Sequence, residues 1–189
     1  MLGQRSAMKD DDNGLQPLRQ PGPLGELLGG RVEQYYALVD PVPVEGKFGS
    51  AHSKLWAEWL SAKDSNTEVL ETYGKSNGWL EGKPAAITRK VGKGRISYVG
   101  AWLDDSAMSA AAIWMVEVSG VKPVLGKVPD GVEVYARYGE HGAVYILVNL
   151  SRSEQTVPLP SAMNDVLEGG SKQSINLPVY GVAVLSAGR

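Results

Sequence analysis

The 189-residue sequence contains no cysteine, and this absence excludes several kinds of chemistry. A chain without thiols has no disulfide bond, no thiolate metal site and no cysteine nucleophile. Disulfides are rare in reducing compartments, so the composition fits a cytoplasmic protein. Because 43% of the residues are hydrophobic, we expect an ordinary globular core.

An excess of charge and long apolar runs are also lacking. Lys and Arg number 19 against 21 Asp and Glu, which gives a formal net charge of −2. This balance gives no reason to expect nucleic acid or an anionic membrane as a partner. No apolar run approaches the ~18–20 residues of a membrane-spanning helix, and no signal peptide precedes the polar N-terminus. We therefore expect a soluble protein.

Histidine is scarce as well, with His52 and His141 as the two examples. Both lie near glycine and small polar residues, which predicts exposed loops. The sequence lacks the His-x-x-x-His spacing of a zinc site and the Gly-x-Ser-x-Gly elbow of a serine hydrolase. Residues 92–94, Gly-Lys-Gly, lack the spacing of a phosphate-binding P-loop. We expect no metal, no cofactor and no catalytic triad.

Paired carboxylates, which glycoside hydrolysis needs about 5–5.5 Å apart in a retaining enzyme, are not indicated by any spacing. Most of the glutamates fall on polar faces of alternating strands or in turns, so we expect them to be solvated and not catalytic. The glutamates considered are Glu26, Glu33, Glu58, Glu68, Glu71, Glu81 and Glu133.

The clearest structural signal lies between residues 84 and 120. Residues 85–91 and 95–100 predict two strands, joined by the glycine-containing loop at residues 92–94. A helix is expected next, capped by residues 104–106 and ended by Gly120. The helical residues expected to face the sheet are Met108, Ala111, Ala112, Met115 and Val116.

Before this unit, the polar residues 1–20 predict a loose arm, and residues 24–28 predict one or two helical turns. The two prolines in residues 40–44 predict an edge strand or a connector. Alternation of apolar and polar residues predicts further strands. These strands are residues 31–37, 54–60 and 67–73.

A domain junction is expected at residues 121–124. Beyond it, short alternating runs are separated by turns that contain glycine or proline, a pattern typical of a small antiparallel sandwich. The predicted strands are residues 132–138, 143–148, 155–159, 165–167 and 179–185.

Three short segments carry a resemblance to a known family. Residues 78–86, 91–96 and 98–100 resemble the middle domain of the glycoside hydrolase family 42 β-galactosidases. Residues 2–10 resemble a segment inside the same domain, and residues 124–185 are similar to the family's small C-terminal β domain. The resemblance covers nearly the whole chain.

This resemblance implies an α/β fold in two domains. Residues 1–123 would form a truncated amidotransferase-like, or Rossmann-like, trimerisation domain, and residues 124–189 a small antiparallel β-sandwich. The family's catalytic barrel and its glutamates would lie upstream of Met1. A sheet that lacks its first strands would expose an edge, which a second copy or an upstream polypeptide could cover.

Five aromatic residues are the candidate site residues. On a strand, neighbouring side chains point to opposite faces, so Tyr35 and Tyr36 cannot both face one core, and neither can Trp56 and Trp59. The second face could be a subunit interface, a surface covered by helices, or a platform on which a sugar stacks. The candidates are Tyr35, Tyr36, Trp56, Trp59 and Trp79.

The function expected from the sequence is therefore non-catalytic: the oligomerisation and C-terminal region of a family 42 β-galactosidase. Its partners would be further copies, with a trimer favoured, or a catalytic barrel, and a galactoside is a candidate ligand. Two alternatives stay open. One is a small stand-alone glycosidase or other hydrolase with an unrelated site, and the other is a carbohydrate-binding module.

Overall fold

The computed structural model describes residues 1–76 and 78–187, and the chain divides into two compact units. The units are Met1–Gly120 and Val121–Arg189. In both units, the described strands pair with one another in the antiparallel sense, so the chain is mostly antiparallel β-sheet. Among the described residues, no helix is long and apolar enough to cross a membrane.

The first unit is one sheet with two helices over its described residues. Its strands follow the order β1-β3-β2-β4-β5-β6, and β7 pairs with β3. The elements are α1 (Gly25–Leu28), β1 (Gly30–Ala37), β2 (Val42–Gly46), β3 (Gly49–Ala62), β4 (Thr67–Tyr73), β5 (Pro84–Val91), β6 (Gly94–Val99), β7 (Ala101–Leu103) and α2 (Asp105–Ser119).

The long strand β3 organises this sheet, because its first part pairs with β2 and its last part with β1. As a result β2 lies between β3 and β4, and the expectation of an edge strand or connector at residues 40–44 is wrong. Pro43 is tolerated there although it lacks an N–H group. Its carbonyl still accepts a hydrogen bond of 2.7 Å from the Gly74 amide.

The hairpin of β5 and β6 is confirmed, with Val91 paired to Gly94 across a two-residue turn. Gly92 occupies the first turn position at a φ of +56°, in the left-handed region that glycine adopts without strain. Ile96 and Tyr98 face one core cluster and Val99 the other, as the alternation predicts.

Helix α2 begins and ends as predicted, and its predicted sheet-facing side is right in part, since Ala111 is buried and Met115 packs against the core. The Asp104 carboxylate accepts a hydrogen bond from the Ala107 amide, and Gly120 ends the helix at a φ of +67°. The buried residues are Ala107, Ala111 and Trp114, whereas Met108, Ala112 and Val116 are exposed. Apolar residues occur all round this helix, and the two alanines are small enough to let it lie close to the sheet.

The predicted Rossmann-like sheet is not confirmed. Parallel strands need crossover connections of roughly a dozen residues or more, usually helical. In the described part of the first unit, successive strands are joined by turns and loops of at most about ten residues. Every pair of neighbouring strands in this sheet is antiparallel, including the non-consecutive pairs β1–β3 and β2–β4, and α2 follows the last strand of the sheet.

The N-terminal residues are attached to this sheet, so the expectation of a loose arm is wrong. The Leu2 amide donates to the Ser97 carbonyl at 2.8 Å, and the Val99 amide donates to the Leu2 carbonyl at 3.1 Å. Leu2 also packs against the core cluster around Tyr98. Three residues further on, the Arg5 amide donates to the carboxylate of Glu58. The arm is therefore held in place by a carboxylate that lies 53 residues away in the sequence.

Glu58 is fully buried, contrary to the prediction of a solvated carboxylate. One oxygen, Oε2, accepts the Tyr98 hydroxyl at 2.7 Å, and the other, Oε1, accepts Trp56 Nε1 at 3.0 Å and the Arg5 amide at 3.2 Å. Burial and the neighbouring Glu58 charge raise the pKa of Tyr98, so its hydroxyl stays protonated and donates. These donors offset the cost of burying the carboxylate.

Glu71 is the second buried glutamate that was predicted to be solvated. Its Oε1 accepts the Phe48 amide, while Oε2 has no hydrogen-bond partner among the described residues. Burial raises the pKa of Glu71 above its ordinary value. Gly46 lets the neighbouring strand approach closely, since a Cβ there would clash with the Leu70 carbonyl oxygen and would lie 3.1 Å from the Glu71 carboxyl carbon.

The second unit forms one five-stranded sheet over its described residues, in the order β11-β10-β12-β9-β8. The antiparallel pairing is confirmed, but a two-sheet sandwich is not, because β10 pairs with β11 on one side and β12 on the other. The strands are β8 (Val132–Gly139), β9 (Gly142–Asn149), β10 (Gln155–Asp165), β11 (Ser171–Leu177) and β12 (Val182–Ala187).

Two details of this unit differ from the sequence prediction. Asp165 ends β10, and its carboxylate accepts the amides of Leu167 and Glu168 in a turn, so residues 165–167 are not a separate strand. Strand β11 was missed because it is mostly polar. Its inward residues Ile175 and Leu177 are its contribution to the core.

The hairpin turn gives a first prediction. Gly92→Val should lower the free energy of unfolding by on the order of 1–3 kcal/mol, because a β-branched residue is strained at positive φ. Urea denaturation followed by tryptophan fluorescence measures this unit, since all five tryptophans precede Gly120. Gly94→Val is the matched control, because a Cβ there meets nothing closer than 3.8 Å. Equal losses for both variants would contradict the assigned turn.

Glu58 gives a second prediction. Glu58→Gln should lower the free energy of unfolding by on the order of 2–3 kcal/mol, because the amide nitrogen that replaces one oxygen leaves a buried donor without an acceptor. The same denaturation experiment applies. Glu68→Gln, at a largely exposed carboxylate of the same sheet, is the control and should change little. A Glu58→Gln variant as stable as the parent would exclude the structural role assigned to this carboxylate.

Candidate functional site: an aromatic and basic face

The five candidate aromatic residues divide between the two faces of the sheet in the first unit. Tyr35 lies opposite Glu58 in the register of β1 and β3, and Tyr36 lies opposite Ala57. Tyr35 therefore shares the Glu58 face with Trp56, while Tyr36 shares the other face with Trp59. Tyr35 and Tyr36 thus point to opposite faces of the sheet, and so do Trp56 and Trp59, as their positions on strands predict.

On the Glu58 face, the Trp56 ring is already occupied. Tyr35 stacks on it with ring centroids 5.1 Å apart and planes 14° apart, and the Arg5 guanidinium lies 4.7 Å from its centroid. A sugar that stacked on Trp56 would have to displace one of these two groups. Trp56 therefore helps to attach the arm and has little free ring surface, whereas Tyr35 is 48% exposed.

On the opposite face, Tyr36, Trp59 and Trp79 form a more open aromatic surface. The rings of Tyr36 and Trp79 are 5.9 Å apart with an interplanar angle of 39°. Lys83 Nζ lies 4.5 Å above the Trp59 ring, and 66% of Trp79 is exposed. Amphipathic rings beside a cation, partly open to solvent, are typical of contact surfaces.

Next to Tyr36 and Trp59 is a groove of about 460 Å³, which we call the basic groove. It lies where β1 and β3 run side by side at the edge of the sheet, and the arm closes one side of it. Its lining residues are Arg19, Arg31, Glu33, Gln34, Tyr36, Trp59, Ser61 and Lys63. A second groove of about 560 Å³ adjoins it and shares Tyr36, with Trp79 on its wall.

Glu33 lies at the centre of the basic groove. Its carboxylate is within 3.0 Å of cationic nitrogens of Arg19, Arg31 and Lys63, and it accepts the Ser61 hydroxyl at 2.6 Å. The hydrogen bond from Arg31 is the largest of the effects that lower the pKa of Glu33 to about 2. With three cations around one carboxylate, the cluster has a surplus of two positive charges.

Local geometry explains why Glu33 enters this cluster. The register of β1 against β3 shifts between Val32 and Gln34, which marks Glu33 as a bulged residue. A bulge re-aims a side chain, and here it brings the carboxylate beside Arg31 and Ser61. Sequence reasoning listed Glu33 as a solvated glutamate and missed the three cations, which come from separate segments of the chain.

The remaining candidate groups do not assemble into a reactive site. His52 is exposed but lies in β3, not in a loop as expected, and His141 is exposed in the turn between β8 and β9. The buried Glu58 and Glu71 are closed to solvent. No cluster of three or more metal-ligating side chains occurs within the described residues.

The comparisons with known proteins agree with this structural description. Residues 1–116 match the family model described as the β-galactosidase trimerisation domain. The chain is 27% identical to β-galactosidase Bga of Halorubrum lacusprofundi and 30% identical to β-galactosidase BglY of Alicyclobacillus acidocaldarius. These alignments cover 98% and 87% of this chain, but 29% and 25% of the two relatives.

Solved structures give the same result. A β-galactosidase from Bacillus circulans sp. alkalophilus superposes with a TM-score of 0.82 at 25% identity, over 97% of this chain and 28% of that one. The β-galactosidase of Halorubrum lacusprofundi gives 0.68 at 28% identity, over 98% and 27%. The chain thus spans less than a third of the relatives it matches. It belongs to the β-galactosidase trimerisation-domain family of glycoside hydrolase family 42.

Proposed function

We propose that this chain is a subunit-association region of a family 42 β-galactosidase and that it does not itself hydrolyse galactosides. The match of residues 1–116 to the trimerisation domain carries this proposal. Residues 1–123 serve as the association domain, and residues 124–189 correspond to the family's C-terminal β domain. The protein acts in the cytoplasm as a trimer or beside a catalytic barrel.

The chemistry of the carboxylates supports a non-catalytic role. A retaining glycosidase needs two carboxyl groups that flank the sugar, one of them with a raised pKa. Glu71 has a raised pKa, but it is 1% exposed and cannot reach a substrate. Glu33 is within reach of solvent, but its lowered pKa makes it unsuitable as a general acid.

The aromatic surface supports association more than sugar binding. Trp59 is covered in part by Lys83, and Tyr36 is packed in part against the core of the sheet. Aromatic residues and arginine are enriched at protein interfaces, where they supply apolar area together with hydrogen-bond donors. The surface of Tyr36, Trp59 and Trp79 with the neighbouring basic groove has this composition.

The absence of catalysis is directly testable. A chromogenic β-galactoside assay on the purified chain should show no turnover above a mock purification from the same host without the gene. The physical reason is that Glu71, whose pKa is raised, is buried, while Glu33 in the open groove has a lowered pKa. Turnover that co-purifies with the chain and disappears in Glu33→Gln would contradict the proposal and would locate a site in the basic groove.

The association itself is tested by light scattering over a wide range of concentration. We expect a species of about 61 kDa, three times the 20.2 kDa chain. Tyr36→Ala should weaken association by on the order of 2 kcal/mol, as loss of a buried aromatic anchor does. Tyr138→Ala, at an exposed tyrosine of the second unit, is the control and should have no effect. A 20.2 kDa monomer at all concentrations would refute self-association.

A further inference from the structure

The basic groove carries more positive charge than the fold neutralises. Among the described residues, Glu33 is the one carboxylate that pairs with Arg19, Arg31 and Lys63, whose side chains are 57%, 45% and 55% exposed. The surplus of two charges lies in a concave surface beside Tyr36 and Trp59. Such a surface is complementary to a partner that brings two negative charges together with apolar area.

The arm of the same chain presents a surface of the opposite kind. Residues 9–15 form a tight turn, closed by the bridge between Lys9 and Leu15, which we call the acidic turn. Asp10 stabilises it by accepting the amides of Asp12 and Gly14. Within the described part of the chain, the exposed carboxylates of Asp11 and Asp12 have no ion-pair or hydrogen-bond partner.

The two surfaces match in charge and in apolar content. Lys9 and the three aspartates give the acidic turn a net charge of −2, equal and opposite to the surplus in the groove. Leu15, the last residue of the turn, is 71% exposed, and Leu18 after it is 57% exposed, so both offer apolar side chains. The groove offers Tyr36 and Trp59 in return.

We infer that the basic groove of one chain receives the acidic turn of a second copy of the same chain. This inference rests on the proposed function, because it names the contact through which self-association occurs. Within one chain, the described ion pairs do not join the acidic turn to the groove. The groove and the turn are different surfaces, so in a trimer each contact joins the groove of one copy to the turn of the next, and three such contacts close a ring.

The charges set the orientation of this contact, and the apolar groups supply most of its strength. Exposed ion pairs contribute little to affinity, whereas charge complementarity raises the rate of encounter and rejects wrong partners. Reversing the charges converts attraction into repulsion, so it should weaken association by on the order of tenfold or more. High salt should weaken the parent protein's association and should have less effect on a neutralised variant.

Charge reversal in the full chain tests the inference. Arg31→Glu/Lys63→Glu reverses the groove, and Asp11→Lys/Asp12→Lys reverses the turn. Each pair of substitutions alone should raise the dissociation constant measured by light scattering at least about tenfold. The chain that carries all four substitutions restores opposite charges at every contact, and it should regain the assembly mass of the parent protein.

The controls separate this contact from loss of folding and from self-association in general. Lys90→Glu/Lys93→Glu reverses two exposed lysines at the β5–β6 hairpin and should leave the assembly mass unchanged. Because Arg31→Glu could disturb Glu33, Arg31→Gln/Lys63→Gln is measured too, and circular dichroism confirms folding of each variant. The dissociation constant of the Arg31→Gln/Lys63→Gln variant should also rise.

Three results would overturn the inference. If the protein associates but both reversals leave its mass unchanged, the interface lies elsewhere and the proposed function stands. If reversal of the groove alone abolishes association and reversal of the turn does not, another acidic surface occupies the groove. If both single reversals dissociate the protein but the combined variant does not reassemble, the two surfaces do not meet. A parent protein that is monomeric throughout refutes self-association, and the inference with it, and leaves association with a catalytic barrel as the proposed function.

Discussion

The buried carboxylate of Glu58 is the interaction on which the arrangement of the first unit depends. Burying a carboxylate is costly unless donors surround it, and the donors here come from three separate parts of the chain. Tyr98 belongs to β6, Trp56 to β3 and the Arg5 amide to the arm. The strands and the arm must therefore be in place together, which makes this contact specific as well as stabilising.

The attachment at Arg5 also determines where the rest of the arm lies. At the far end of the arm, the Val32 amide of β1 donates to the Gln20 carbonyl at 2.7 Å. Arg19 reaches the carbonyl and the carboxylate of Glu33. The arm thus covers part of the edge strand β1, supplies one wall of the basic groove and leaves the acidic turn exposed. The arm that protects the edge therefore also contributes Arg19 and the acidic turn to the candidate interface.

Local sequence signals predicted the local parts of this structure. The β5–β6 hairpin, the Asp104 cap and the stop at Gly120 each depend on residues within a few positions of one another, and all three are confirmed. The division of Trp56 and Trp59 between opposite faces also follows from strand periodicity alone.

The features that the sequence did not predict depend on packing between residues that are far apart in the chain. Period-two alternation groups Trp56, Glu58 and Leu60 on one face of β3, but it does not say whether that face is covered. The arm covers it, and the arm is polar enough to have been read as loose. The same limit applies to α2, where apolar residues on all sides left the sequence without a signal for the buried face. The cluster around Glu33 was invisible because its cations are distant in sequence.

The buried and the exposed glutamates of this chain differ from the carboxylates that a glycosidase uses. Catalytic carboxylates must be open to a substrate and must hold different protonation states. In this chain Glu58 and Glu71 are sealed within the sheet, and Glu33 is held ionised by three cations. Glu58 and Glu71 thereby serve to hold the chain together, and Glu33 serves to shape its surface. What stays available to a partner is the charge surplus of the basic groove and the aromatic side chains next to it, and these are the properties that an association surface requires.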